Sequence, residues 1–518
     1  MAEDAPKAIT PTLSTFIEET MAASKITGLS LAVIRKNGAP EYRTWGKGTE
    51  EGDEMAPDTL FHVGSVSKAF CATALGLLID DFANGKNVVA LPSGLTELTW
   101  HTRVKDLLPE DWQLMDEWAS ERATIRNILS HVSGVARHDY SYGPLDTPYD
   151  VVKRLRYLKP ASELREQWSY INIMYIVATH IVSTYAGKPY TTFKAEESGK
   201  FTQGWTGDGQ RRPGLFTEST ALLGAGPASL ISSAADMSKW VSMWINQGAA
   251  PMEIKRSSRS RSTRRSPILT RFALVILLMA TTPSLGTGRG DSVVPHPGGI
   301  PGSSAIVSFL PSDELGIVVL ANAGDQSLTV GKISDRILDQ ALRLESLSTQ
   351  SSFNFPFPGG AAEPEPWSFE LSLDEFAGTH THPGYRALTL CSPTSPSSCC
   401  VKVQADFAAV NKGQNSSQPS PELIAAWPRV WSSHIRMRYL KGSTFKVEFV
   451  TLFPNGHGKD STPFETTEII GRFGNAEFIV EDGKVVGFGI SGLLRHQMGR
   501  GQSSKTVQER ADVWFDRV

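Results

Sequence analysis

In the stretch "FHVGSVSKAF", Ser65 and Lys68 stand three residues apart. Positions three apart share one face of a helix, so a helix starting here would aim the lysine back at the serine hydroxyl. A serine hydroxyl needs a base to become a nucleophile, and an ammonium at the root of an apolar helix is desolvated, which lowers its pKa toward that role. Gly64 comes just before, which sets Ser65 at a helix N-terminus, where free N–H groups and the macrodipole favour a developing negative charge. Two other places hold groups of chemical use. Tyr170 and Asn172 in "WSYINIMYIV" offer a phenol and an amide, while His296 in "VVPHPGGIPG" offers an imidazole beside Gly298 and Gly299. Adjacent glycines let a substrate backbone approach a strand closely. Singly, each pattern is also an ordinary structural feature: a polar helix start, a half-buried capped helix, a glycine-rich turn.

The elements that must position these residues follow from periodicity. Leu13 to Met21 has helical spacing, and "GLSLAVIRKNGAPEYRTWGKG" reads as a hairpin about Asn37-Gly38. Val63 to Asp81 is apolar nearly all round after Lys68, which predicts a central, buried helix. "TIRNILSHVSG", "SYINIMYIVATHIVSTYAG" and "SSAADMSKWVSMWINQG" read as helices, and "GIPGSSAIVSFLPSDELGIVVLANA" as two strands split at Pro311-Ser312-Asp313, followed by a helix near Lys332 to Leu344. Ser346 to Pro366 is a Pro/Gly/Ser-rich linker, and beyond it short strands alternate about turns such as Asp482-Gly483. The expectation is a large α/β domain over residues 1–345 and a smaller β-rich domain over 367–518.

Composition excludes whole classes of function. A 518-residue chain with 40% hydrophobic residues, 12 Trp and 23 Phe is globular, not disordered or coiled-coil. Lys plus Arg is 51 against 54 Asp plus Glu, so the chain carries no overall footprint for nucleic acid or an anionic membrane. Four cysteines make no disulfide scaffold, and no paired Cys/His spacing suggests zinc; His131 and His138 flank "VSGVAR" without an acidic partner. There is no G-x-S-x-G elbow, no H-E-x-x-H and no dinucleotide loop, so no metal or cofactor is expected. The start lacks a basic region leading into an apolar run, and Phe272 to Ala280 is too short to span a bilayer, which favours a cytoplasmic protein. One segment, 250–290, breaks the pattern: Glu253 to Arg289 holds eight Lys/Arg and one acidic residue. Three readings stay open for it: a basic RNA- or membrane-surface insert, a solvated insertion, or a retained intron or shifted frame.

Taken in order, S-x-x-K, then Y-x-N, then a basic residue followed by x-G, the three motifs resemble those of the serine β-lactamase and penicillin-binding family. The class C-like branch, with its D-aminopeptidases and esterases, is most similar. "TIRNILSHVSG", "GPASLISSAADMSKW" and "HPGGIPGSSAIVSFLPSDELGIVVLANA" agree, and the likeness runs over about residues 10 to 345 apart from the 250–290 segment. The region from Trp367 to Val518 is similar to the β-rich extension of fungal members and to the lipocalin-like domain of some family peptidases. The resemblance implies an antiparallel sheet packed between helices. It implies Ser65 as nucleophile, Lys68 as its base, and Tyr170 as proton shuttle to the leaving group. Asn172 would hydrogen-bond substrate or Lys68, and the N–H groups of Ser65 and Gly299 would hold the oxyanion beside Gly298. His296 stands where β-lactamases and cell-wall peptidases carry lysine. A histidine of ordinary pKa is mostly neutral at pH 7, so weak selection for carboxylate-bearing β-lactams is expected, with small esters or amides preferred. Two rival readings remain at this stage. One is an acyltransferase of fungal secondary metabolism. The other is a non-catalytic relative disabled by the 250–290 segment, since the Tyr-Gly-rich stretch usual before the third motif is missing.

Overall fold

The computed structural model describes residues 7–36, 38–188, 190, 198–246, 294–344, 366–367, 371–412, 421–467, 473–494 and 506–518. The basic segment 250–290 and all of the expected linker except Pro366 lie outside these. The chain forms two units, one of residues 1–99 with 178–355 and one of residues 100–177 with 356–518. The longer helices are α1 Pro11–Ala23, α2 Ser67–Ala83, α3 Ile173–Ala186, α4 Ala234–Ile245, α5 Ser327–Ala341 and α6 Ser398–Asn411.

The first unit is built on an antiparallel sheet of β1 Gly28–Arg35, β2 Glu41–Gly46, β3 Val294–Ile300, β4 Ser303–Leu310 and β5 Leu315–Ala321, in the order β2-β1-β5-β4-β3. Every residue of β5 is buried, as a strand covered on both faces requires. Side chains alternate between the faces with period two. Leu31, Val33, Ile317 and Val319 thus join Leu13 and Ile17 of α1 and Ile333 and Ile337 of α5 in one core. Ala32, Ile34, Val318 and Leu320 join Val63, Val66, Met237 and Val241 in the other. Residues 63–66 therefore rest on the second face of the sheet. α1 begins two residues before the Leu13 at which periodicity starts, with the Thr10 hydroxyl capping Leu13 N and Pro11 at the first turn.

The second unit carries a nearly closed barrel. Its strands are β6 Gly378–His382, β7 Arg386–Leu390, β8 Glu422–Ala426, β9 His434–Lys441, β10 Thr444–Phe453, β11 Phe464–Thr466, β12 Phe473–Glu481, β13 Lys484–Ser491 and β14 Val513–Arg517. Eight of them run in the order β7-β6-β14-β13-β12-β10-β9-β8, with β11 beside β10. The ends meet where Cys391 and Ile424 exchange backbone hydrogen bonds of 2.7 and 2.9 Å. The core is aromatic: Phe478 meets Phe376, Phe445 and Phe488 at centroid distances of 4.9 to 5.3 Å. α6, which alternation and turn signals do not announce, packs Val403 and Phe407 against Ile424 and Val450. Cys391 and Cys400 are disulfide-bonded, with Cα atoms 5.4 Å apart. The cysteine count that excludes a scaffold thus leaves room for a single staple, and such staples belong mainly to oxidising compartments. Among the described residues no helix is long and apolar enough to cross a membrane.

Candidate active site

One group of candidate residues lies in the first unit, where a single 3₁₀ turn, Gly64–Val66, leads into α2. Gly64 has φ +54°, and a Cβ there would lie 2.7 Å from the Gly299 nitrogen, so both backbone and space demand glycine. The Ser67 hydroxyl donates to the Gly64 carbonyl at 2.6 Å and accepts from Leu230 N at 3.0 Å. That fixes the turn on which Ser65 stands half-buried. Lys68 is fully buried, and its ammonium donates to the Pro227 carbonyl at 2.8 Å and to Ser65 Oγ at 3.3 Å. One turn further along α2, Cys71 is buried and its thiol is pushed up to about 12 by burial, against the pull of Lys68. It remains a neutral thiol and is no rival nucleophile.

Strand β3 passes directly against this turn. A Cβ on Gly298 would sit 2.1 Å from the Val63 carbonyl and 3.3 Å from Ser65 N. Gly298 is buried, whereas Gly299 is exposed. Gly298→Ala is accordingly expected to displace β3 from the turn and cut turnover about 100-fold, read as kcat with the melting temperature as control. Near-normal turnover in that variant would show that β3 has no part in positioning. His296, two residues before Gly298, is half-buried with Nδ1 3.1 Å from the Pro297 carbonyl. A carbonyl only accepts, so Nδ1 carries the hydrogen. Burial, and then the charge of Lys68, lower the His296 pKa to about 4. The ring is therefore neutral at pH 7 by a wider margin than an unperturbed imidazole.

The other group, Tyr170 and Asn172, lies in the second unit just before α3. The Asn172 amide is buried and donates to both oxygens of Asp139 at 3.2 Å. Arg137 pairs with the same carboxylate and lays its guanidinium 5.1 Å from the centre of the Tyr170 ring. The His131 ring lies 4.8 Å from Tyr170 on centroids, and His131 Nδ1 accepts from Ile171 N at 3.1 Å. His138 is held between the Tyr385 hydroxyl and the Lys159 carbonyl. Both histidines that flank "VSGVAR" thus have protein partners, and no cluster of His, Cys, Asp or Glu suited to a metal occurs among the described residues. Sequence reasoning passed over Ser67, Arg137 and Asp139. None of the three left a clear signal, since the stretch after "HVSG" sets Arg137, His138 and Asp139 side by side among aromatic and small residues.

Comparison with known proteins bears on both groups. The family described as Beta-lactamase matches residues 13–342. A protein named unguisins hydrolase ungD', from Aspergillus campestris, is 26% identical over 446 residues, covering 75% of this chain and 79% of its own. Its namesake from Aspergillus violaceofuscus is 26% identical over 445 residues, covering 72% and 75%. Among solved structures, the class C beta lactamase from Rhodobacter sphaeroides superposes with a TM-score of 0.50 at 17% identity, covering 64% of this chain and all of that one.

Proposed function

Because the chain belongs to the beta-lactamase family, we propose that it is a serine hydrolase that works through an acyl-enzyme on a small amide or ester. The observation that carries this reading is the buried Lys68 ammonium 3.3 Å from Ser65 Oγ at the start of α2. In its neutral form the amine accepts the hydroxyl proton as Ser65 Oγ attacks the substrate carbonyl carbon. The backbone N–H groups of Ser65 and Gly299 hold the oxyanion that forms. Collapse breaks the bond to the leaving amine or alkoxide, which takes its proton by way of Tyr170, with Asn172 orienting the substrate or Lys68. Water then attacks the Ser65 ester, releases the acid and restores the hydroxyl.

Substrate class follows from His296. With its pKa lowered to about 4, it offers a hydrogen-bond acceptor rather than a cation to the bound molecule. Neutral esters and amides are favoured over carboxylate-bearing β-lactams. Water as acceptor is favoured over an amine or alcohol by the fungal relatives, which are named as hydrolases.

The test is intact-protein mass after brief exposure to activated esters, D-amino-acid amides and penicillins. A mass increment from esters or amides is expected, stronger than that from any penicillin and absent when Ser65 lacks its hydroxyl. No increment from any compound, in protein shown to be folded, would overturn the acyl-enzyme.

A further inference from the structure

The loop that carries Asp139 is gripped by the barrel of the same unit. The Tyr140 ring stacks on Phe449 of β10 with centroids 3.9 Å apart and planes 12° from parallel. The Tyr142 carbonyl accepts from Val430 N at 3.3 Å. Since the Lys159 carbonyl can only accept, His138 Nε2 carries its hydrogen, and Nδ1 accepts from the Tyr385 hydroxyl at 2.7 Å. Most telling is a chain of polar contacts inside this packing. Trp431, between β8 and β9, donates its indole N–H to the Tyr142 hydroxyl at 3.0 Å, and that hydroxyl donates to Asp139 Oδ1 at 3.4 Å. Asp139 in turn holds Asn172 and Arg137, and Arg137 covers the Tyr170 ring. Trp431, Tyr142 and Asp139 are all buried. Burial, then the Asp139 charge, raise the Tyr142 phenol well above its ordinary range, so it stays a donor at every working pH.

A domain that merely stabilised its neighbour would need only apolar contact. Here buried polar groups, each costly unless paired, are lined up to end on the carboxylate that orients Asn172. We propose that Trp431 and Tyr142 are positioning residues through which the barrel sets Asp139, and thereby Asn172 and Arg137 beside Tyr170, for delivery of a proton to the leaving group. This rests on the acyl-enzyme reading above.

The test compares two substrates of opposite need. An amine must be protonated to leave D-alanine p-nitroanilide, whereas p-nitrophenolate leaves p-nitrophenyl acetate without help. Trp431→Phe and Tyr142→Phe are each expected to lower kcat on the anilide about tenfold, with KM and ester turnover changed less than about twofold. The double variant should be no worse than Tyr142→Phe alone, because both act through one chain. Equal losses on both substrates, or none on either, would overturn the proposal, as would loss of the folded state in both variants. Ser65→Ala, run alongside, separates the two levels. If it leaves anilide turnover intact, the acyl-enzyme fails and the relay with it. If it abolishes turnover while the phenylalanine variants match the wild type, the relay alone fails.

Discussion

Ser65→Ala is expected to reduce amide turnover by a factor on the order of 10⁴ or more, to the level left by binding and backbone donors. Lys68→Met should come close, losing about 10³-fold, because a methionine keeps most of the volume of the side chain, one heavy atom shorter, but can neither take nor return a proton. The two differ in what they do to the fold. Ser65 is half-buried on a turn held by Ser67, so its alanine variant should melt near the wild type. Lys68 places an ammonium where nothing is exposed. Leaving the Pro227 carbonyl without that donor costs about 1–3 kcal/mol, while a buried charge costs several. The balance favours a rise in melting temperature for Lys68→Met together with loss of activity. Calorimetry beside a turnover assay checks both, and a lower melting temperature would mean that the lysine holds the fold together rather than being held by it.

The second large effect is on acid stability. Burial lowers the pKa of His62, His138, His296, His380, His382 and His434 to about 4 each. In the unfolded chain these rings take up protons near the ordinary value of about 6.5, so below that pH the unfolded state binds protons that the folded state refuses. The sign is fixed: the stability of neutral burial is whole above about pH 6.5 and is lost as pH falls toward 4. Each such ring contributes at most about 1.4 kcal/mol per pH unit across that window. Several together match a stability of about 5–15 kcal/mol within one or two units. Unfolding near pH 5 is expected, steep and without a plateau, followed by far-UV circular dichroism and tryptophan fluorescence. Chemical-denaturation midpoints that stay constant from pH 7 to 4.5 would contradict it.

Much of this was legible from residue spacing. The hairpin about Asn37-Gly38 became β1 and β2, and the apolar run after Lys68 became α2, because period and turn chemistry are local properties. The close approach of β3 to the Ser65 turn was half visible: adjacent glycines announce that something comes near, though not that it is the Val63 carbonyl. Long-range partnership left no such trace. Nothing in "VARHDY" says that Asp139 faces Asn172, since contacts across 33 residues depend on how elements dock. α6 was hidden for a local reason. Its start, Ser397 and Ser398 after Thr394-Ser395-Pro396, has the composition of a loop, and only the Ser397 cap on Cys400 N reveals the helix.

The bond from Trp431 to Tyr142 joins residues 289 apart in the chain. A ribosome adding about 5–20 residues per second needs on the order of 15–60 s to cover that distance. Throughout that interval the segment bearing Tyr140, Tyr142 and Asp139 has been synthesised, while Phe449 and Trp431, which bury it, have not. Its aromatic face stays without these partners until the residues around Phe449 have been added. A product ending near residue 345 would contain the motifs from Ser65 to Gly299 and still lack the surface against which the Asp139 loop closes. Vectorial synthesis thus makes the last third of the chain a condition for finishing the first.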